Sequence, residues 1–113
     1  MQETMDRLRT SPGVLAVVLT DLDGAILYAA SDLDIAPPII RGMVLSLTGY
    51  LQQIVTQLGM GKITEFDAET SMGHMFVVHA GAVVLIVLAT RQSNLGTLRM
   101  ALARAVRGLS EDA

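Results

Sequence analysis

The stretch 37–58 constrains this chain more than any other. Ile40, Val44, Leu47, Leu51, Ile54 and Leu58 recur at three- and four-residue intervals, which is one stripe of a helix. Ile39, Met43, Tyr50 and Val55 lie off that stripe and widen the apolar arc, while Ser46 and Gly49 are small enough to let another backbone approach. Pro37 and Pro38 fix the start, because a first helical turn has no use for the amide hydrogens that proline lacks. Gly59 supplies the stop. If one side of the arc covers the chain's own sheet, the remainder calls for a second cover, most simply a second copy of the chain.

At 113 residues the chain is expected to form one domain spanning 1–113, with a single core. Half of it is hydrophobic, yet the aromatic residues are only Tyr28, Tyr50, Phe66 and Phe76, so the core is expected to be aliphatic. The net charge of −3 argues against a nucleic-acid partner. Absence of cysteine excludes disulfides and thiolate chemistry. Ala82–Ala89, the longest apolar run, falls far short of the ~20 residues a membrane span requires. Met1–Thr4 carries no signal-type apolar run. A cytoplasmic domain without membrane insertion is expected.

Taken in order, residues 2–10 read as a short amphipathic helix ended by Ser11-Pro12-Gly13. Val14–Thr20 is apolar at nearly every position and reads as a strand covered on both faces. Asp23-Gly24 predicts a two-residue hairpin that returns the chain antiparallel over Ala25–Ala30. The long helix follows an acidic loop. Lys62–Glu69 alternates without a clean apolar face, as suits a sheet edge or subunit boundary where charge discourages promiscuous pairing. Met75–Ala80 and Val83–Ala89 are two more strands, the second apolar throughout and therefore central. Asn94 caps a last helix whose stripe is Leu95, Leu98, Leu102, Ala105, Val106 and Leu109. The prediction is α-β-β-α-β-β-β-α: an α/β sandwich with a five-stranded antiparallel sheet and helices on both faces.

Chemistry-bearing residues are few. Asp21-Leu22-Asp23-Gly24 after an apolar strand is similar to the DxDG motif of haloacid-dehalogenase phosphatases, where the first aspartate is the nucleophile and magnesium assists. Ala25 stands where that motif has threonine, and Lys62 is the sole lysine, so a turn shaped by Asp-Gly geometry is the expected role. Asp21, Asp23, Asp32 and Asp34 lack the spacing of a calcium loop and read as a solvated acidic rim. His74 and His79, five apart on one strand, point to opposite faces and cannot chelate one metal together. Arg91, Arg99, Arg104 and Arg107 read as a solvated helix face. No cofactor, metal or enzymatic activity is expected.

Gly13–Gly24 resembles the opening strand and D-x-DG turn of the Roadblock/LC7 family, and Asn94-Leu-Gly-Thr-Leu-Arg99 is similar to that family's closing NLGxLR helix start. Gly61-Lys62 before an acidic strand fits its third strand. The resemblance implies a profilin-like sandwich that dimerises by joining edge strands and packing its middle helices. It also implies partnership with a Ras-like small GTPase whose nucleotide cycle it modulates, as in MglB-type proteins, or a pure scaffolding role; a DxDG phosphatase is the remote alternative. On this reading Ile40, Met43, Val44, Leu47, Leu51, Ile63, Glu65 and Asp67 form the dimer interface. Arg41, Thr48 and Gln52, with Asp32 and Asp34, are candidate partner contacts.

Overall fold

Continuous apolar runs make strands that need cover on both faces, and this determines the centre of the molecule. The computed structural model describes residues 1–111. Its strands are β1 (Val14–Asp21), β2 (Ile26–Ser31), β3 (Glu65–Glu69), β4 (Gly73–Ala80) and β5 (Val83–Thr90), in the antiparallel order β2-β1-β5-β4-β3. β5, apolar from Val83 to Ala89, is the middle strand and β1 lies next to it. The acidic β3 and the uncharged β2 are the edges. Helices α1 (Gln2–Arg9) and α4 (Leu95–Glu111) cover one face. The other is covered by α2 (Pro37–Leu45), a π-helical turn (Ser46–Leu51) and α3 (Gln52–Gln57). This is the expected fold class and element order.

Alternation along the strands sorts the core into two layers. Val17, Leu19, Phe76, Val78, Leu85 and Val87 pack against Met5 and Leu8 of α1 and Leu98, Leu102 and Leu109 of α4. Val18, Val77, Val84 and Ile86 pack against Ile40, Val44 and Leu47. Each fully buried Val, Leu or Ile contributes about 1.5–3 kcal/mol through removal from water. Close approach of β4 to β5 requires Gly73, where a Cβ would collide with the Ala89 carbonyl oxygen.

Three details differ from the sequence reading. The connection between β1 and β2 has four residues rather than two, with a register shift at Leu19/Thr20. Asp21 Oδ1 accepts the amide hydrogens of Asp23 and Ala25, both at 2.9 Å, so the motif's first aspartate shapes the turn. Gly24 has φ +88°, and a Cβ there would lie 2.9 Å from Arg41 Cγ and 3.0 Å from Arg41 Cα. Residues 62–64, expected in the third strand, precede it, because Gln52 holds this segment to the helix: its Oε1 accepts from the Ile63 amide and its Nε2 donates to the Gly61 carbonyl, both at 2.9 Å.

The third difference lies in the long helix. Ser46 Oγ donates to the Gly42 carbonyl (2.8 Å) and Thr48 Oγ1 to the Val44 carbonyl (3.0 Å), local bonds of the kind that bend helices. The winding widens to a π turn at the point where they act. The apolar stripe is split in consequence. Ile40, Val44 and Leu47 are buried, whereas α3 buries no residue and leaves Ile54 and Leu58 exposed.

Candidate interaction surface

Splitting the stripe creates an apolar surface beside the β3 edge. Met43, Leu47 and Leu51 face Phe66, Met75 and Val77 across a hollow of about 190 Å³ with almost no polar lining. Tyr50, Leu58 and Met60 stand exposed beyond it, at 69, 66 and 71% of their possible accessible area. An apolar hollow of this kind next to a strand with an unpaired edge has the character of an interaction surface.

The expected interface residues divide accordingly. Ile40, Val44 and Leu47 are 2, 0 and 3% exposed, so they form the chain's own core, with Leu47 also lining the hollow. Met43, Leu51 and Ile63 are half-buried and keep a free side. Phe66 and Met75, not singled out from the sequence, complete the hollow. Their signal was weak because the alternation of β3 shows two mixed faces until β4 is placed beside it.

Glu65 and Asp67 lie on the opposite face, under α4. Arg99 Nη1 donates to Asp67 Oδ2 at 2.8 Å and lies 3.5 Å from Glu65 Oε2, and its guanidinium stands 5.4 Å over the Phe76 ring. Arg99 is therefore engaged with the chain's own acidic strand while about half of its side chain stays in solvent. Hydrogen bonding to Asp67, then partial burial and the charge of Asp67, push Glu65 up to about 7, against the opposing pull of Arg99. A cavity of about 440 Å³ beside the pair is lined by Thr64, Glu65, Val78, His79, Arg99 and Leu102, among others.

Candidate partner contacts fall in two places. Thr48 and Gln52 make hydrogen bonds within the chain, so these groups are already engaged. Arg41 is exposed at the turn end of β2, lining a groove with Asp23, Gly24, Ala25, Ile26, Pro37 and Pro38. Asp32, ion-paired with Arg9, and Asp34 follow the strand's other end. The structure thus brings Arg41, Asp32 and Asp34 around β2. His74 lies beside Phe76, 6.4 Å between ring centroids, and His79 is on the other face with its Nε2 2.9 Å from the Gly81 carbonyl oxygen. Among the described residues no three His, Cys, Asp or Glu side chains converge as a metal site, and no helix is long and apolar enough to cross a membrane.

No protein-family model matches the chain. Two proteins of Methanocaldococcus jannaschii, MJ0310 and MJ1340, are each 24% identical over 98 residues, covering 87% of this chain and 86% of theirs. Among solved structures, Acanthamoeba castellanii profilin IB superposes with a TM-score of 0.74 at 11% identity, covering 98% of this chain and 97% of its own. Myxococcus xanthus MglB gives 0.89 at 19% identity, covering 96 and 90%. A Roadblock/LC7 domain from Streptomyces avermitilis gives 0.77 at 22%, covering 96 and 93%. These findings define first a class, the profilin-like sandwich. Within it, the chain has the Roadblock/LC7 fold, in the form that MglB also takes.

Proposed function

We propose that this chain is a non-enzymatic, homodimeric interaction module that binds a Ras-like small GTPase and modulates its nucleotide cycle. The observation that carries the reading is the juxtaposition, on a Roadblock/LC7 fold, of an apolar surface (Met43, Leu51, Phe66, Met75, Tyr50) and the free edge of β3. Two copies related by a two-fold axis would cover each other's hollows and extend the sheet through both β3 strands, each contributing the same patch. The GTPase partner comes from the likeness to MglB and from what the family resemblance implies.

Scaffolding without effect on hydrolysis is the second reading. The engagement of Thr48 and Gln52 within the chain favours it, since these helix polar groups are occupied. Two measurements test the proposal. Light scattering at micromolar concentration should give twice the monomer mass, and a clean monomer overturns self-association. A small GTPase captured from the native lysate with a slowly hydrolysed GTP analogue should change its hydrolysis rate when the protein is added. An unchanged rate selects the scaffold.

A further inference from the structure

Only one of the sheet's two edges carries charge. β3 presents Glu65, Asp67 and Glu69 at alternate positions, whereas Gly24–Ser31, which includes all of β2, contains no charged residue. Charged residues are the usual guard of an edge strand, and β2 carries none. We propose that β2 is a docking edge for an extended segment of another protein, apolar at alternate central positions and basic at both ends. The proposal lies beyond self-association through the α2–β3 side and does not rest on it.

The backbone is available for pairing. The Asp32 amide donates to the Leu15 carbonyl at 2.9 Å, so by antiparallel alternation Ala30 and Tyr28 also direct their backbone groups at β1. Ala29 and Ser31 then direct theirs outward. The register shift near Ile26 leaves Tyr28–Ser31 as the regular run. On the α2 side the strand's neighbours Val18 and Thr20 are buried, and the side chains on β2 itself are small (Ala29, Ser31) or turned to a groove (Ile26). This groove, about 600 Å³ between Pro37, Pro38 and Arg41 of α2 and the Asp23–Ile26 turn, is open and mostly apolar. A strand added along β2 would place a bulky apolar side chain over Ala29 and into it.

Charge selects the occupant. Asp21 and Asp23 stand at one end of β2, Asp32 and Asp34 at the other, and Asp6 accepts a hydrogen bond from the Tyr28 hydroxyl at 2.6 Å. These carboxylates outnumber the two cations present, Arg9 on Asp32 and Arg41 at the groove. A second copy of β2 paired antiparallel would bring the acidic ends of both copies together, which disfavours it. Lysine or arginine at each end of a partner strand meets both acidic ends.

The test is an NMR titration of the labelled full chain with a capped octapeptide, alternating valine and threonine at its centre and bearing two lysines at each end. A counterpart carries glutamates in place of the lysines. The lysine peptide should give saturable shifts at the amides of Ile26, Ala29 and Ser31 and bind at least about fivefold more tightly than the glutamate one at low salt, with the preference shrinking near 0.5 M salt. Ala29→Pro removes one outward amide, a change that edge strands tolerate, and should weaken lysine-peptide binding about five- to tenfold. No saturable shift, shifts centred on α2 and β3, or equal affinity for the two peptides overturns the proposal. Concentration-dependent shifts at Ala29 and Ser31 without peptide do so as well, by assigning the edge to a second copy. Should Ala29→Pro fail to fold, Asp23→Lys with Asp34→Lys should erase the lysine preference, and its persistence refutes the charge argument.

Discussion

The two edges of the sheet differ in where their charge lies. On β3, every second residue is acidic, and Glu65 and Asp67 are tied to α4 by Arg99. On β2 the strand is neutral, and restraint comes from its ends: Asp21 and Gly24 shape the turn, and the Tyr28 hydroxyl is anchored to Asp6. Such an anchor also raises the pKa of the phenol, first through that hydrogen bond and then through burial. The face beside β3 is apolar under α2 and acidic under α4, whereas beside β2 lies an open, mostly apolar groove with Asp23 and Arg41 in its lining. An edge strand's chemistry therefore cannot be judged from the strand alone. One edge carries its charge on the strand itself, and the other carries it only at the strand's ends.

The largest expected effect breaks the β3 side. Met43→Glu places a carboxylate in the apolar hollow, which in a covered interface is unpaired and costs about 3–5 kcal/mol. Light scattering should then show monomer at concentrations where the parent is dimeric, with the circular dichroism spectrum unchanged. On the β2 side, Gly24→Val forces a branched residue into a left-handed backbone conformation against the Arg41 backbone. It should cost about 3 kcal/mol and lower Tm by roughly 10 °C or more.

A smaller loss separates the turn's structural role from chemistry. Asp21→Ala deprives two amides of their acceptor and should cost about 1–2 kcal/mol in denaturant unfolding. The phosphatase alternative instead predicts magnesium-dependent p-nitrophenol release that Asp21→Asn abolishes. The smallest effect is a slope. Glu65 has a folded-state value of about 7 against an ordinary 4.5, so the native chain holds more protons than the unfolded chain between those values. Its contribution to stability therefore falls as pH rises from about 4.5 to 7, and the penalty is complete above that window. Glu65→Gln should flatten the pH profile of Tm there and raise Tm near pH 8 relative to the parent. An unchanged profile removes Glu65 as its source.

Much of this molecule was legible in residue order, for reasons local to the chain. Unbroken runs of β-branched and aliphatic residues in β1 and β5 admit only a doubly covered place, and both strands are internal. Acidic alternation in β3 marked an edge, and Asn94, whose Oδ1 accepts the Thr97 amide hydrogen at 3.0 Å, marked the start of α4. The site was less legible. Helical periodicity treats Ile40, Val44, Leu47, Leu51, Ile54 and Leu58 as one stripe, since it assumes uniform winding and a sheet of unlimited width. The π turn and the short β3 violate both assumptions, so the first three became core and the last two were left in solvent. Likewise, the role of Arg99 was hidden by its distance along the chain from Glu65 and Asp67.

The sequence by itself determined the element order, the two central strands and the acidic character of one edge, because periodicity, turn chemistry and charge act between near neighbours. Only the tertiary structure decided which apolar residues remain free, which cation meets which acid, and that a neutral edge has a groove beside it. Those depend on contacts between segments tens of residues apart, and no local pattern encodes them.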